Sequence, residues 1–260
     1  MAVDTTWLER ALTITGDFET SGDPWTAVTG DFDGMGISCG PQQVNIGSGS
    51  FQPLVKGCGE ALVKRTMPNF GAEMWAAANG RIPEGLRIVR RWQSGNRLNA
   101  AVTQELQALL GTKEMRAAMR DRAQGDGETA LALTQDWTGG KADLRAFCWF
   151  FDLVTQNGSL KGLTRADVEN FKALSGPGGA DDLVCDFLEN RPIGGGHDRD
   201  ARKNAKLWRN ALSGARLDLL VLSHLRAGLS RPQFRHVVLN RKGTLAAGKG
   251  WVNGELYSFD

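Results

Sequence analysis

Two carboxylates, Glu19 and Asp33, each follow a phenylalanine in nearly the same four-residue setting. Gly16-Asp17-Phe18-Glu19 is echoed by Gly30-Asp31-Phe32-Asp33, with a Gly-, Pro- and Thr-bearing loop between them. As an internal repeat the match is too short to be structural, because it covers four residues and does not recur. As a metal loop, Asp31-x-Asp33-Gly34 opens like a calcium loop, but the third acidic ligand and the closing Glu are missing. No metal and no cofactor are expected. The remaining reading is a pair of acids in different environments. Glu19, at the C-terminal end of a helix and beside Phe18 and Trp25, is expected to resist ionisation and to serve as a general acid. Asp33, in a Gly-rich polar turn, is expected to stay charged and to serve as a base or electrostatic stabiliser. Such a split pair is the machinery of glycoside hydrolysis. A plainer account has Glu19 ending a helix and Asp33 making an Asp-Gly turn, and on these residues alone it has the advantage.

Other chemistry-bearing residues are sparse. His197, His224 and His236 are scattered, no Ser or Cys stands in a nucleophile motif, and His224 reads as a packed core residue. Cys39, Cys58, Cys148 and Cys185 form no Cys-x-x-Cys pair and have no His at zinc-finger spacing. Cys148 and Cys185 read as buried thiols, and a Cys39–Cys58 disulfide stays open. Most of the eight tryptophans are expected in the core, with Trp25, Trp75 and Trp92 as candidates for a sugar groove. Residues 87–97, RIVRRWQSGNR, form a basic strip that suits anionic wall polymers but reads slightly better as a solvated face.

Helical periodicity dominates the elements that must hold these groups. Trp7, Leu8, Ala11, Leu12, Thr15 and Phe18 share one face, and Thr6–Glu9 has the pattern of a capping box. Further helices are expected near 51–66, 69–78, 97–109, 112–123, 140–156, 164–174, 180–189, 199–212 and 214–228. A small hairpin is expected in the Gly-rich stretch from Val238 to the end, and another over 25–46. GDGE at 125–128, GPGGADD at 176–182 and IGGGHDRD at 193–200 read as loops. The class is mainly α, as one domain of two lobes over residues 1–260.

The chain has 260 residues, 41% of them hydrophobic, which suffices for a sizeable core. A net charge of +2 is too weak to argue for nucleic acid. Apolar runs such as Phe147–Phe151 are too short to insert in a membrane. No signal peptide is read at the start, so synthesis in the cytoplasm is expected.

The segment ALTITGDFET…W…GDFDGMGISCG resembles the N-terminal catalytic region of the lysozyme-like superfamily. It is similar to glycoside hydrolase family 46 chitosanases, and closer to phage-type and effector-type peptidoglycan hydrolases. Phe18-Glu19, Asp33-Gly34-x-Gly36-x-Ser38, Gln43-Val44-Asn45 and Gly47-x-Gly49-x-x-x-Pro53-Leu54 follow the order of that pattern, with Val44 where a Trp is expected. The resemblance implies an α+β lysozyme-like fold, with two helical lobes around a substrate cleft. It implies Glu19 as acid, Asp33 as base and Ser38 as the hydroxyl that positions water. Gln43 and Asn45 become either sugar ligands or turn-closing residues. WFFDLVTQNG, FLENR and ARLD are similar to the family's charged network, which implies a buried Asp152 paired with Arg191 and Arg216. The chitosanases invert, so roughly 6.5–9.5 Å between the acids is expected. The mild basic bias favours peptidoglycan over the polycation chitosan. A wall hydrolase without a signal peptide implies release by lysis, as for a phage endolysin, or delivery by a type VI secretion apparatus, with an immunity protein as a further partner. A non-catalytic glycan-binding module of the same shape is the reading from another class.

Overall fold

Asp4, not Thr6, starts the first helix. Its carboxylate accepts from the Thr6 N–H at 2.8 Å and the Trp7 N–H at 3.2 Å, and α1 runs Thr5–Asp17. Glu9, expected in a capping box, instead pairs with Arg120 at 2.9 Å. Leu8, Ala11, Leu12 and Thr15 bury one face of the helix, as their spacing requires. The computed structural model describes residues 3–20, 22–141, 143–176, 179–190 and 196–259. They fall into two units, Met1–Gly125 and Asp126–Asp260, mainly helical with small antiparallel sheets.

In the first unit a 3-10 turn, Pro24–Thr26, leads from α1 into three two-residue strands. These are β1 (Val28–Thr29), β2 (Ser38–Cys39) and β3 (Val44–Asn45), antiparallel in that order. Thr29 pairs with Ser38, and Ser38 with Asn45. Then follow α2 (Gln52–Cys58), α3 (Glu60–Thr66), α4 (Gly71–Asn79) and α5 (Ile82–Arg91). The helix expected over 51–66 breaks in two at Gly59, whose φ of +79° no helix accommodates. Residues 87–97 are not simply a loop face. Their first half closes α5, and the rest makes the hairpin of β4 (Gln93–Ser94) and β5 (Arg97–Leu98). Helix α6 (Ala100–Leu110) completes this part of the chain.

Helix α7 (Lys113–Thr138) runs straight through the expected GDGE loop. Two glycines in a helix interior cost about 1 kcal/mol each relative to alanine. They are outweighed by an unbroken buried stripe: Met115, Met119, Ala123, Gly127, Ala130, Thr134 and Trp137 recur every three or four residues.

The second unit adds α8 (Leu144–Asn157), α9 (Arg165–Leu174), α10 (Gly179–Asn190), α11 (His197–Trp208), α12 (Gly214–Gly228) and α13 (Arg235–Ala247). The chain ends in a hairpin, β6 (Lys249–Val252) and β7 (Glu255–Ser258). The C-terminal hairpin is therefore present, but 238–247 is helix. Trp208 ties the hairpin to the helices: its Nε1 donates to the Lys249 carbonyl at 2.8 Å. No helix among the described residues is long and apolar enough to cross a membrane.

Candidate active site

All eight residues expected to touch substrate, Trp75 and Trp92 included, belong to the first unit. Helix α1 ends where the chain crowds it. A Cβ on Gly16 would stand 2.5 Å from Pro24 Cβ and 2.9 Å from Pro41 Cβ, so this turn needs glycine. Phe18 is the buried C-cap. Glu19 follows it, exposed, with its N–H donating to the Gly16 carbonyl at 2.9 Å. Burial therefore does not single out Glu19. Burial raises the carboxyl of Asp17, the last residue of α1, above its ordinary value. Arg10 opposes that shift and Asp23 reinforces it.

Asp33 lies exposed in the loop between β1 and β2, and its Oδ1 accepts from the Met35 N–H at 3.0 Å. The loop is pinned by its neighbour Asp31. That carboxylate accepts from the Gly36 N–H at 2.8 Å and from Arg90 Nε at 2.7 Å. Arg90 also donates to the Gly34 carbonyl at 2.9 Å. Gln93 locks the same loop twice. Its Oε1 accepts from the Asp31 N–H and its Nε2 donates to the Gly36 carbonyl, both at 2.8 Å. Burial works against the charge on Asp31, but the Gly36 N–H and the Arg90 guanidinium outweigh it and hold the carboxyl below its ordinary value. Asp31 is thus the anchor of the loop, a role the sequence does not reveal because Arg90 and Gln93 lie about 60 positions away.

Ser38 sits in the central strand and is 2% exposed. Gln43 takes a left-handed φ of +48°, and its Nε2 donates to the Gly40 carbonyl at 2.9 Å. Asn45 Oδ1 accepts from the Ser48 N–H at 2.8 Å, and its Nδ2 donates to the Gln43 carbonyl at 3.3 Å. Both amides therefore hydrogen-bond within the turns that flank β3. Trp25 is 7% exposed, its Nε1 donates to Thr13 Oγ1 at 3.1 Å and Arg116 lies over its ring. It packs as a core residue rather than offering a face to a sugar. Trp92 is likewise buried, with Nε1 on Glu73 at 2.6 Å. All four cysteines are free thiols, so Cys39 and Cys58 form no disulfide.

The supporting ion network belongs to the second unit. Asp152 on α8 is fully buried and paired, as its apolar surroundings demand. Its partners are Arg241 and Lys242 of α13: Arg241 Nε and Nη2 each reach Oδ1 at 2.7 Å, and Lys242 Nζ reaches Oδ2 at 2.6 Å. Arg216 instead donates to the Ala247 carbonyl at 3.4 Å, and Arg191 lies outside the described residues. Burial alone would raise the Asp152 carboxyl, but the two cations hold it below its ordinary value. Burial pushes Lys242 down to about 8, against the pull of Asp152. The adjacent pair Arg241-Lys242 inside the apolar run LNRKGTLAA was the available signal. Two charges there can be buried only with a counter-ion.

Among the described residues no group of His, Cys, Asp and Glu is arranged to hold a metal ion. Comparison with protein-family models, with curated proteins and with solved structures gives no match.

Proposed function

We propose that this chain is a glycoside hydrolase that cleaves the glycan strand of peptidoglycan, with Glu19 as general acid and Asp33 as general base. One arrangement carries the reading. A carboxylate directly follows a clamped helix end, and a second stands in the first loop of the small antiparallel sheet that comes next. Both are exposed, as groups that must meet a polymer have to be. The Asp31–Arg90–Gln93 anchor holds the second loop in place, and pre-organisation of that kind is what an acid–base pair needs. Glu19 donates a proton to the glycosidic oxygen while Asp33 takes one from the attacking water, the bond breaking through an oxocarbenium-like state. Ser38 borders the same loop from β2 and is the candidate to orient that water. The lysozyme-like resemblance and a net charge of +2 favour peptidoglycan over chitosan. Delivery by a secretion apparatus or by host lysis belongs to the same proposal.

Asp17 supports a second assignment of the acid. The surroundings of its carboxyl favour the protonated form, and it stands two residues before Glu19. Turbidity clearing of purified walls separates the cases. With Glu19 as the acid, Glu19→Gln lowers the rate about 100-fold or more, and Asp17→Asn leaves it within about threefold. The reverse pattern moves the acid to Asp17. Loss in neither variant ends the hydrolase reading, and wall binding without clearing by the unmodified chain makes this a binding module. Release of reducing sugar from chitosan tests the chitosanase alternative.

A further inference from the structure

Beside the Asp33 loop lies an open surface cavity of about 400 Å³. Phe32, Arg97, Asn96 and Thr103 are among its lining residues. Phe32 is 65% exposed, in contrast to Phe18, its counterpart in the other Gly-Asp-Phe segment, which is buried. A large ring left in water next to a candidate catalytic loop offers a face on which a pyranose can pack. Gly30 brings the loop against the β4–β5 turn, since a Cβ there would collide with the Asn96 carbonyl oxygen. The cavity is thus built by two segments in fixed contact.

The charge in this cavity is selective. Arg90 and Arg91, the other cations at this end of the basic strip, are held by Asp31 and Glu73. Arg97 makes no ion pair among the described residues, and it lines the cavity. A planar guanidinium suits a carboxylate and repels an ammonium group.

We propose that this cavity is a subsite for an amino sugar carrying a carboxylate, with Phe32 packing on the ring and Arg97 pairing with the acid. This rests on the hydrolase reading for its place beside the reaction, and it adds the chemical class the site selects. It accounts for peptidoglycan over chitosan by a single side chain: the lactyl carboxylate of a muramyl residue meets Arg97, whereas the ammonium of glucosamine is repelled.

Calorimetric binding at low salt tests it, in a Glu19→Gln background to suppress turnover. The probes are a tetrasaccharide of alternating N-acetylglucosamine and N-acetylmuramic acid, and uncharged chitotetraose. The carboxylated probe is expected to bind about tenfold tighter, and the preference to shrink with added salt. Arg97→Ala removes the preference and leaves chitotetraose affinity within about twofold, Arg97→Lys keeps part of it, and Phe32→Ala weakens both probes. Equal affinity for the two probes, binding of neither, or a preference that survives Arg97→Ala overturns the subsite. Wall clearing by the unmodified chain reports on the hydrolase reading separately: clearing without the preference removes only the subsite, and the preference without clearing removes only the hydrolysis.

Discussion

Arg90 and Asp31 meet at 2.7 Å across 59 positions of chain, and through that pair helix α5 holds the loop that carries Asp33. Half of the Arg90 side chain is exposed, so the pair alone contributes little to stability, on the order of 1 kcal/mol or less. Its effect on the loop is larger, because the same guanidinium also holds the Gly34 carbonyl. Arg90→Ala is therefore expected to lower the urea midpoint slightly, by about 1 kcal/mol in free energy, and wall clearing by about tenfold. The pH dependence follows from the depressed Asp31 carboxyl. What it contributes to stability is present above its unfolded value, near 3.8, and is lost as the pH falls through its lower folded value. Equal stability and rate losses in Arg90→Ala would show the pair to be structural only.

The two Gly-Asp-Phe segments serve different ends although they read alike. One closes a helix and buries Phe18, and the other bends a loop and exposes Phe32. What they share is a glycine with no room for a side chain, Gly16 against Pro24 and Pro41, and Gly30 against Asn96. Sequence alone exposes the pattern but not this cause, because the crowding groups lie elsewhere in the chain. Gly30→Ala is expected to cost about 1–3 kcal/mol in chemical denaturation, since the obstacle is backbone that must shift. Gly34→Ala, where no atom lies within 4 Å but φ is +84°, tests strain without collision, and about 1 kcal/mol is expected there.

Asp152 shows where sequence reasoning reaches and where it stops. A lone acid inside WFFDLV must be buried and paired, and it is. Which cations pair with it depends on how α8 and α13 align, some 90 positions apart, and nothing in either segment states that. Periodicity located most helices for a similar reason: it is a local property, whereas the run of α7 through Gly125 and Gly127 depends on what covers its buried stripe. Asp152→Asn removes the carboxylate that Arg241 and Lys242 share and is expected to cost about 3–5 kcal/mol. Arg216→Ala, away from that pair, is expected to cost about 1 kcal/mol. Lys242 adds a pH signature. Its folded value of about 8 lies below the ordinary 10.5, so the folded state binds fewer protons between them and stability rises as pH climbs from 8 to 10.5. Lys242→Met should flatten that rise in urea titrations at pH 7.5, 9 and 10.5.

His224 makes the same argument on the acid side. The ring lies between Phe171 and Phe187, with centroids at 5.3 and 5.0 Å, and its Nδ1 has no hydrogen-bond partner among the described residues. Burial holds the imidazole neutral and pushes its value down to about 4 from 6.5. The unfolded chain therefore takes up a proton near pH 6.5 that the folded chain refuses until about pH 4. Stability is full above 6.5, falls through that window and levels off below it, for a total of about 3 kcal/mol at most. His224→Leu keeps the apolar packing and removes the titration. The measurement is the difference between variant and parent in urea stability at pH 7.5 and pH 4. His236, which also packs on Phe187 with centroids at 5.5 Å, titrates in both proteins and cancels in that difference. A variant that loses as much stability on acidification as its parent would mean that His224 already takes its proton in the folded state.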